Sequence, residues 1–316
     1  MATFLVTGSF GQVGSDLIPQ LCKKYGKSSV IATDKYLPHA DMPCEMQVVD
    51  VTDYKSILEI SRERGVDCII HLASILSALG EKNNDLAFSV NFTGTYNVLK
   101  VARELSMKMV IIPSTIGVFG ADTPRENVPA ITLTRPASIY GISKVFAEQI
   151  SSYFSKKYGI DVRGLRLPGL ISYSMPPSNG TTDYAVDMII HAAKHKQYTC
   201  YLKENATLPM MYMPDAIKAI LDIMSADRER LRYNLEYNVQ AFSFSPKDLE
   251  NELQKYLPDF RVSYVPDYRQ EIAETWPRSL DISESIEDWN FNPSYDFSGM
   301  VRDMYEHLSM GDMGNE

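Results

Sequence analysis

The chain has 316 residues, 45% of them hydrophobic, and a formal net charge of −9 with its basic residues scattered. That length suits one large domain or two fused ones with an ordinary core, and the acidic balance argues against a nucleic-acid or anionic-membrane partner. No run of about eighteen apolar residues is present, so no membrane-spanning helix is expected. The first residues, MATFLVTG, enter a strand-like run at once and leave no room for a signal or transit peptide. A cytoplasmic location is expected, or the mitochondrial matrix if a presequence has been removed. Cys22, Cys44, Cys68 and Cys200 lie at least 22 residues apart. They carry no metal or redox spacing and read as reduced core thiols.

The first half alternates. TFLVTG reads as a buried strand, and GQVGSDLIPQLCKKYG as a helix with Pro19 inside it, a candidate kink. SVIATD and EMQVVDV are strands two and three, DYKSILEISRERG a helix, and CIIHLAS strand four. A long helix follows from Asn84 to Ser106, then strand five in KMVIIPST, a helix starting in RPASIYGISK, and strand six in DVRGLRLPGL. Apolar strands alternating with helices predict an α/β, Rossmann-type, doubly wound parallel sheet over residues 1–170. After Leu170 the pattern breaks at the loop SYSMPPSNGTTDY, with Gly and Pro near 176–180 permitting a hinge. Short helices and strands beyond it predict a smaller mixed α/β lobe over 171–316, with some strands returning to the first sheet. A ligand cleft between the lobes is expected at the C-terminal ends of the strands.

Gly8, Gly11 and Gly14 recur every three residues in VTGSFGQVG, between the first strand and the first helix. A dinucleotide pyrophosphate needs backbone N–H groups at a helix N-terminus with no Cβ in the way, and this turn provides both. Phe10, Gln12 and Val13 share the turn. Asp34 ends strand two, 20 residues after Gly14. A carboxylate there accepts from adenosine ribose hydroxyls and repels a 2′-phosphate, which favours NAD over NADP; its plain reading is a strand-closing turn residue. Asp50, followed by Val51, ends strand three within reach of the adenine edge, though Asp is also a common turn former.

Tyr140 and Lys144 lie four apart, one helical turn, on one face. An ammonium beside a phenol favours the phenolate, and such a phenol serves as general base for an alcohol. Pro136 and Ser138 suit the helix start, whose positive end favours the same anion. A lone Tyr/Lys pair is commonly a surface feature. Here the glycine turn, Asp34, and the hydroxyl pair Ser114 and Thr115 ending strand five accompany it.

TGSFGQVG, HLAS, NFTGTYNVL, PSTIGVFG, YGISK and RLPGL, in that order, resemble the extended short-chain dehydrogenases/reductases over nearly the whole chain. GTTDYAVDMI, LPMMYMPDAIKAI and TWPRSLDIS resemble the branch of that family that oxidises the Cβ hydroxyl of L-threonine with NAD. The resemblance implies Tyr140 as proton acceptor, Lys144 tuning it and holding the nicotinamide ribose, and Thr115 orienting the substrate hydroxyl. Leu72, Ala73 and Ser74 would line the cofactor after strand four, with Ser74 also touching substrate. Asn91 would bend its helix and join the proton relay, and Leu167 would touch the nicotinamide. Gly180, Thr181 and Thr182 would meet the substrate carboxylate at a helix start, which reads equally as a plain cap. Only Gly180 precedes the threonines where the family pattern has more glycine. Trp276 reads either as an apolar lid or as a core tryptophan. A homodimer is implied, packed through the 85–106 helix and the Tyr140 helix.

His191 and His195 have a zinc-like spacing but no glutamate or third ligand beside them, so no metal is expected. LPMMYM reads as core packing beside the site, and the acidic tail after Met310 as frayed. Two other functions fit the same scaffold: a nucleotide-sugar epimerase or dehydratase, which would need basic residues for a diphosphate, and an NAD-sensing scaffold without chemistry. Arg228, Arg230, Arg232, Arg261 and Arg269 are the second lobe's candidates for the former, and they do not cluster in sequence. The intact Thr115, Tyr140 and Lys144 set argues against the latter.

Overall fold

The computed structural model describes residues 2–37, 42–175 and 180–311, with the backbone alone at 195, 310 and 311. The residues 176–179 of the expected hinge, and 312–316 of the tail, lie outside the described residues. β1 (Phe4–Thr7) leads through the glycine turn into α1 (Gln12–Tyr25), followed by β2 (Val30–Asp34), β3 (Glu45–Val48), α2 (Tyr54–Glu63) and β4 (Cys68–His71). After the short α3 (Ser77–Lys82), a continuous helical rod joins α4 (Asn84–Ala87), a π-helical stretch Phe88–Gly94, and α5 (Thr95–Glu104). β5 (Met109–Ile111), β6 (Ser114–Thr115), α6 (Ile139–Tyr158), β7 (Val162–Arg163), β8 (Arg166–Leu167) and β9 (Gly169–Ile171) complete this half.

The six-stranded sheet runs β3-β2-β1-β4-β5-β7, and every pairing is parallel. Its central strands are buried on both faces, as their unbroken apolar runs predict. In β1, Phe4 and Val6 face the α1 side, while Leu5 faces the side of α5 and α6. The order places a switch point between β1 and β4, and the cleft opens beyond the strand ends there.

The predicted sixth strand is instead three short strands in three sheets: β7 pairs β5, β8 pairs β6, and β9 pairs β11. Two residues break it. A Cβ on Gly164 would sit 2.1 Å from the Ile112 carbonyl oxygen, and Pro168, between β8 and β9, has no N–H to give a ladder. Each step turns the chain toward the cleft.

The second half contains α7 (Tyr184–His195), β10 (Gln197–Cys200), β11 (Leu208–Tyr212), α8 (Met213–Ser225), β12 (Phe242–Phe244), α9 (Pro246–Leu253), β13 (Arg261–Tyr264), α10 (Tyr268–Ala273), α11 (Ser283–Trp289) and α12 (Phe297–Gly311). LPMMY is the central strand of the sheet β12-β11-β9, with Met210, Met211 and Tyr212 fully buried. Among the described residues, no strand beyond β7 joins the six-stranded sheet. What returns is a helix: Ile217, Ile220 and Ile223 of α8 share one core with Leu17, Ile18 and Leu21 of α1. No described helix is long and apolar enough to cross a membrane, and all four cysteines are free.

Because α8 completes the α1 side of the sheet, the halves should unfold together. Ile220→Ala, at a site of zero exposure, should lower the unfolding free energy by about 2–5 kcal/mol. In a urea titration the loss should appear in one transition seen by both tryptophan fluorescence and circular dichroism.

Candidate active site

The glycine turn is shaped by what surrounds it. Gly8 has φ of +68°, and a Cβ there would lie 2.4 Å from the Ala73 nitrogen. A Cβ on Gly14 would lie 2.4 Å from the Ser9 carbonyl oxygen. These two glycines let β1, α1 and the end of β4 close on one another. Gly11 differs: a Cβ there would meet only the Gly8 oxygen, at 3.4 Å. Its missing side chain opens space in the cleft in front of the first N–H groups of α1, which have no acceptor in their own helix. The turn is therefore a cradle for an anionic group, and the residues present fit a dinucleotide pyrophosphate. Asp34 is drawn in beside it, accepting from Phe10 N (3.3 Å) and Lys35 N (2.8 Å). Asp50 accepts from Thr52 N and Oγ1 and pairs with Lys35 at 3.2 Å. Burial raises the Asp50 pKa, but the Thr52 hydrogen bonds and Lys35 outweigh it and leave the group below its ordinary value.

Ser138 caps α6, its hydroxyl accepting from Gly141 N at 3.1 Å. Tyr140 and Lys144 thus occupy the first turns of a 20-residue helix, facing the cleft. Thr115 stands by the phenol and draws its pKa down, and its hydroxyl accepts from Gly117 N at 3.2 Å. Lys144 Nζ donates to the Pro113 carbonyl at 2.9 Å and sits 5.7 Å from the centre of the Tyr140 ring. The sequence predicts that the ammonium lowers the phenol's pKa. The structure differs: burial pushes Tyr140 up to about 12, and Thr115 pulls it back only in part. Burial also draws Lys144 down to about 8, opposed by Glu148. Both groups share one poorly solvated wall, so desolvation outweighs the charge between them.

Asn91 lies in the π-helical stretch, and its side chain reaches the loop after β4. Its Oδ1 accepts from Ile75 N (2.7 Å) and Ser74 Oγ (3.3 Å), and its Nδ2 donates to Ile75 O (2.9 Å) and Ser143 Oγ (3.2 Å). Asn91 therefore links the Ser74 loop to the helix of Tyr140.

One cleft is lined by Gly8, Gly11, Gln12, Val13 and Gly14, by Leu72 and Ser74, by Thr115, Tyr140, Lys144 and Leu167, and by Gly180, Thr181, Thr182 and Trp276. Fifteen of the positions expected from the sequence thus line one cleft. Phe10, Asp34, Asp50, Val51, Ala73 and Asn91 flank the cleft without lining it. Val51 is buried, and its Cγ2 would be 2.8 Å from a Cβ on Gly94. The Thr181 hydroxyl is buried and has no hydrogen-bond partner among the described residues. Asp183 accepts from Gly180 N at 2.8 Å, folding the loop that carries both threonines. Trp276 is 7% exposed, belongs to the second-half core, and also reaches the cleft. Its flanks are tied down: Arg125 NH1 donates to Glu274 O, and Arg278 N donates to Arg125 O at 2.6 Å.

Sequence reasoning missed His71, Pro113, Pro168 and Asp183, which also line the cleft. His71 stands beside the recognisable Leu72–Ser74 run, and that adjacency was its only signal. His191 Nδ1 bonds Asp187 O at 2.7 Å within α7 and its ring lies 5.1 Å from Tyr198. The His195 side chain lies outside the described residues.

The sequence model of the NAD dependent epimerase/dehydratase family matches residues 4–239. An uncharacterized epimerase/dehydratase of Staphylococcus aureus (strain USA300) is 39% identical over 316 residues, 99% of this chain and 98% of its own. The crystal structure of L-threonine dehydrogenase from Phytophthora infestans superposes with a TM-score of 0.95 at 42% identity, covering 98% of this chain and 100% of that one. The GalE-like L-threonine dehydrogenase from Cupriavidus necator gives 0.95 at 38% identity in its holo form, covering 97% and 99%. Its apo form gives 0.83 at 37%, covering 98% and 100%.

His71 is fully enclosed, with Nδ1 2.8 Å from Thr7 Oγ1 and Nε2 3.3 Å from Thr95 Oγ1. Burial, and secondarily Lys144, hold its pKa down from 6.5 to about 3. A native histidine that stays neutral binds fewer protons than the unfolded one below pH 6.5. Its contribution to stability is therefore present above about 6.5 and is lost as pH falls from there toward about 3. Ring-proton NMR should show His71 not titrating between pH 5 and 8.

Proposed function

The chain belongs to the NAD dependent epimerase/dehydratase family, the extended short-chain dehydrogenases/reductases, and from that premise we propose that it oxidises the Cβ hydroxyl of L-threonine with NAD to give 2-amino-3-oxobutyrate. The observation that carries the reading is the composition of the cleft. A hydroxyl–phenol–lysine set shares the cleft with two threonines and a tryptophan, and among the described residues no arginine lines it. The similarity to L-threonine dehydrogenase structures over nearly the whole chain supports the same reading. A nucleotide-sugar enzyme needs cations for a second diphosphate, and the five arginines named from the sequence are engaged elsewhere: Arg228 with Asp161, Arg230 with the Glu287 carbonyl, Arg232 with Asp288, Arg261 with the Pro258 carbonyl, and Arg269 with Asp267.

In this reading the turn from Gly8 through Phe10, Gly11, Gln12 and Val13 to Gly14 holds the pyrophosphate. Asp34 accepts from the adenosine ribose, and its carboxylate disfavours a 2′-phosphate. Lys35, the adjacent cation, is held by Asp50. Asp50 and Val51 lie toward the adenine, Leu72, Ala73 and Ser74 along the cofactor, and Leu167 toward the nicotinamide. NAD, when bound, takes up the hydrogen and electron pair that leave Cβ. Tyr140 accepts the hydroxyl proton, Thr115 orients that hydroxyl, and Lys144 donates to the ribose and favours the phenolate. Asn91 steadies the Ser74 loop against α6. Gly180, Thr181 and Thr182 receive the carboxylate, the Thr181 hydroxyl, which has no partner among the described residues, donating to it. Trp276 is the apolar wall that keeps water from the reacting carbon.

We further propose a homodimer. Phe88, Tyr96, Ile142 and Tyr153 are each about half exposed on the α4–α5 rod and α6. They continue a run of rings in contact, Phe88 with Phe92, Phe92 with Phe146, and Tyr96 with Phe154. An apolar face of this kind marks an interface.

NADH absorbance at 340 nm should appear with L-threonine and NAD and not with UDP-sugars. Tyr140→Phe should lower kcat about 10²–10⁴-fold, the contribution of a positioned general base, with NAD binding retained. Full-speed turnover by that variant would overturn the assignment. Sedimentation velocity should give a dimer for the wild-type chain and a monomer for Phe88→Asp/Ile142→Asp; a monomeric wild-type chain would sink the dimer proposal.

A further inference from the structure

We propose that Glu148 is a positioning residue, holding the strand that carries Pro113 and Thr115 against the helix that carries Tyr140 and Lys144. The inference rests on the reading of Tyr140 and Lys144 as the catalytic pair. Glu148 stands four residues past Lys144 and eight past Tyr140, one and two turns along the same face of α6. It is 1% exposed, and its carboxylate is saturated. Oε1 accepts from Ser114 Oγ at 2.6 Å and from Arg166 Nε at 2.8 Å, and Oε2 accepts from Arg166 NH2 at 2.9 Å.

Each partner is next to a cleft residue. Ser114 lies between Pro113, whose carbonyl receives Lys144 Nζ, and Thr115, whose hydroxyl meets Tyr140. Arg166 precedes Leu167, and β8 pairs with β6 so that Ser114 faces Arg166 and Thr115 faces Leu167. Arg166 is fixed from behind by NH1 on Ala130 O at 2.6 Å, its own N–H on Tyr237 O at 2.7 Å, and the Phe119 ring 5.0 Å from its guanidinium. One carboxylate therefore joins three elements at the points from which three cleft side chains project.

A buried ion pair is a poor source of stability, since well-packed apolar residues of similar volume often serve as well. Its geometry is directional, however, and it places a negative charge one turn from a desolvated ammonium. The titratable and charged groups facing Lys144 are His71 on β4, held neutral, Tyr140 and Glu148 on α6, and Arg166 on β8 behind Glu148. Of these only Glu148 favours the charged lysine.

Glu148→Gln keeps the volume and an acceptor for Ser114 but removes the charge. We expect kcat with L-threonine to fall roughly 10- to 100-fold, the cost of misplaced catalytic groups. The alkaline limbs of kcat and of NAD binding, followed by protein fluorescence, should move to lower pH by about one unit, because Lys144 loses its favourable charge. Ser114→Ala should lower kcat without moving either limb. Glu148→Met/Arg166→Met removes both charges at near-constant volume; its melting temperature reports folding, and it decides the matter should Glu148→Gln fail to fold. Wild-type kcat and unshifted limbs in a folded Glu148 variant would overturn the proposal. The NAD-binding limb needs no substrate, so a wild-type chain that leaves threonine untouched would refute the substrate while the binding profile still judges Glu148.

Discussion

A side chain at position 141 would place its Cβ 2.2 Å from the carbonyl oxygen of Gly117. That contact is where α6 meets the turn after β6, and the geometry of the cleft wall depends on it. Gly117 is pinched in the same way from its other side: a Cβ there would be 3.2 Å from Thr115 Cγ2 and 3.5 Å from Tyr140 Cε1. With no Cβ at either residue, the helix and the turn touch backbone to backbone, and Thr115 and Tyr140 are brought together beside Gly117. Three residues later, Gly120 packs on the Arg135 carbonyl, where a Cβ would be 1.9 Å from the oxygen. That contact returns the loop to the capped start of α6. The catalytic geometry proposed here is thus enforced by close approach of backbone, with the buried Glu148–Arg166 pair bracing the same seam one to two turns away.

The tightness of that wall sets its electrostatics. Burial there favours the uncharged form of three groups: phenol at Tyr140, imidazole at His71, and a lysine whose ammonium is more easily discharged. Such a surface does not produce a phenolate by itself. Charge must be drawn out by fixed partners, and the partners present are Thr115 toward Tyr140 and Glu148 toward Lys144. In the proposed reaction the same desolvation works in the enzyme's favour, because the few charges that do form interact strongly in a medium of low effective dielectric.

What was legible in the sequence was whatever repeats locally. The glycine spacing after β1, the Tyr140/Lys144 pair one turn apart, Ser138 as a cap and the threonines before α7 each act through near neighbours in the chain, and all of them lie at or beside the cleft. Asn91 was legible only through resemblance. Its hydrogen bonds reach Ile75 and Ser143, which no local spacing connects. Arg166 and Glu148 are 18 residues apart and meet only because β8 pairs with β6. His71 looks like an ordinary strand end until Thr7 and Thr95 close on its ring. The sixth strand illustrates the converse: DVRGLRLPGL has a sound apolar pattern, but pattern cannot say that Gly164 and Pro168 deal its pieces to three sheets. Nor could periodicity reveal that α8 faces α1, since an apolar helix face does not name what covers it.

The arginines of the second half show how charge is used around a neutral pocket. In sequence they were the best candidates to seat a diphosphate. Arg269 is the instructive one. Its guanidinium is paired to both oxygens of Asp267 and lies 3.1 Å from the centre of the Tyr201 ring. The Tyr201 hydroxyl in turn donates to the Gly180 carbonyl at 3.0 Å. Gly180 N donates to Asp183, and the loop so closed presents Thr181 and Thr182 to the cleft. Arg269 therefore acts on the site through a ring and a carbonyl, stiffening the loop without lending it net charge. A pocket built this way offers hydroxyls and helix-start N–H groups, which match a single small carboxylate. In the proposed reading, no described arginine lines the cleft to seat the diphosphate of a second nucleotide.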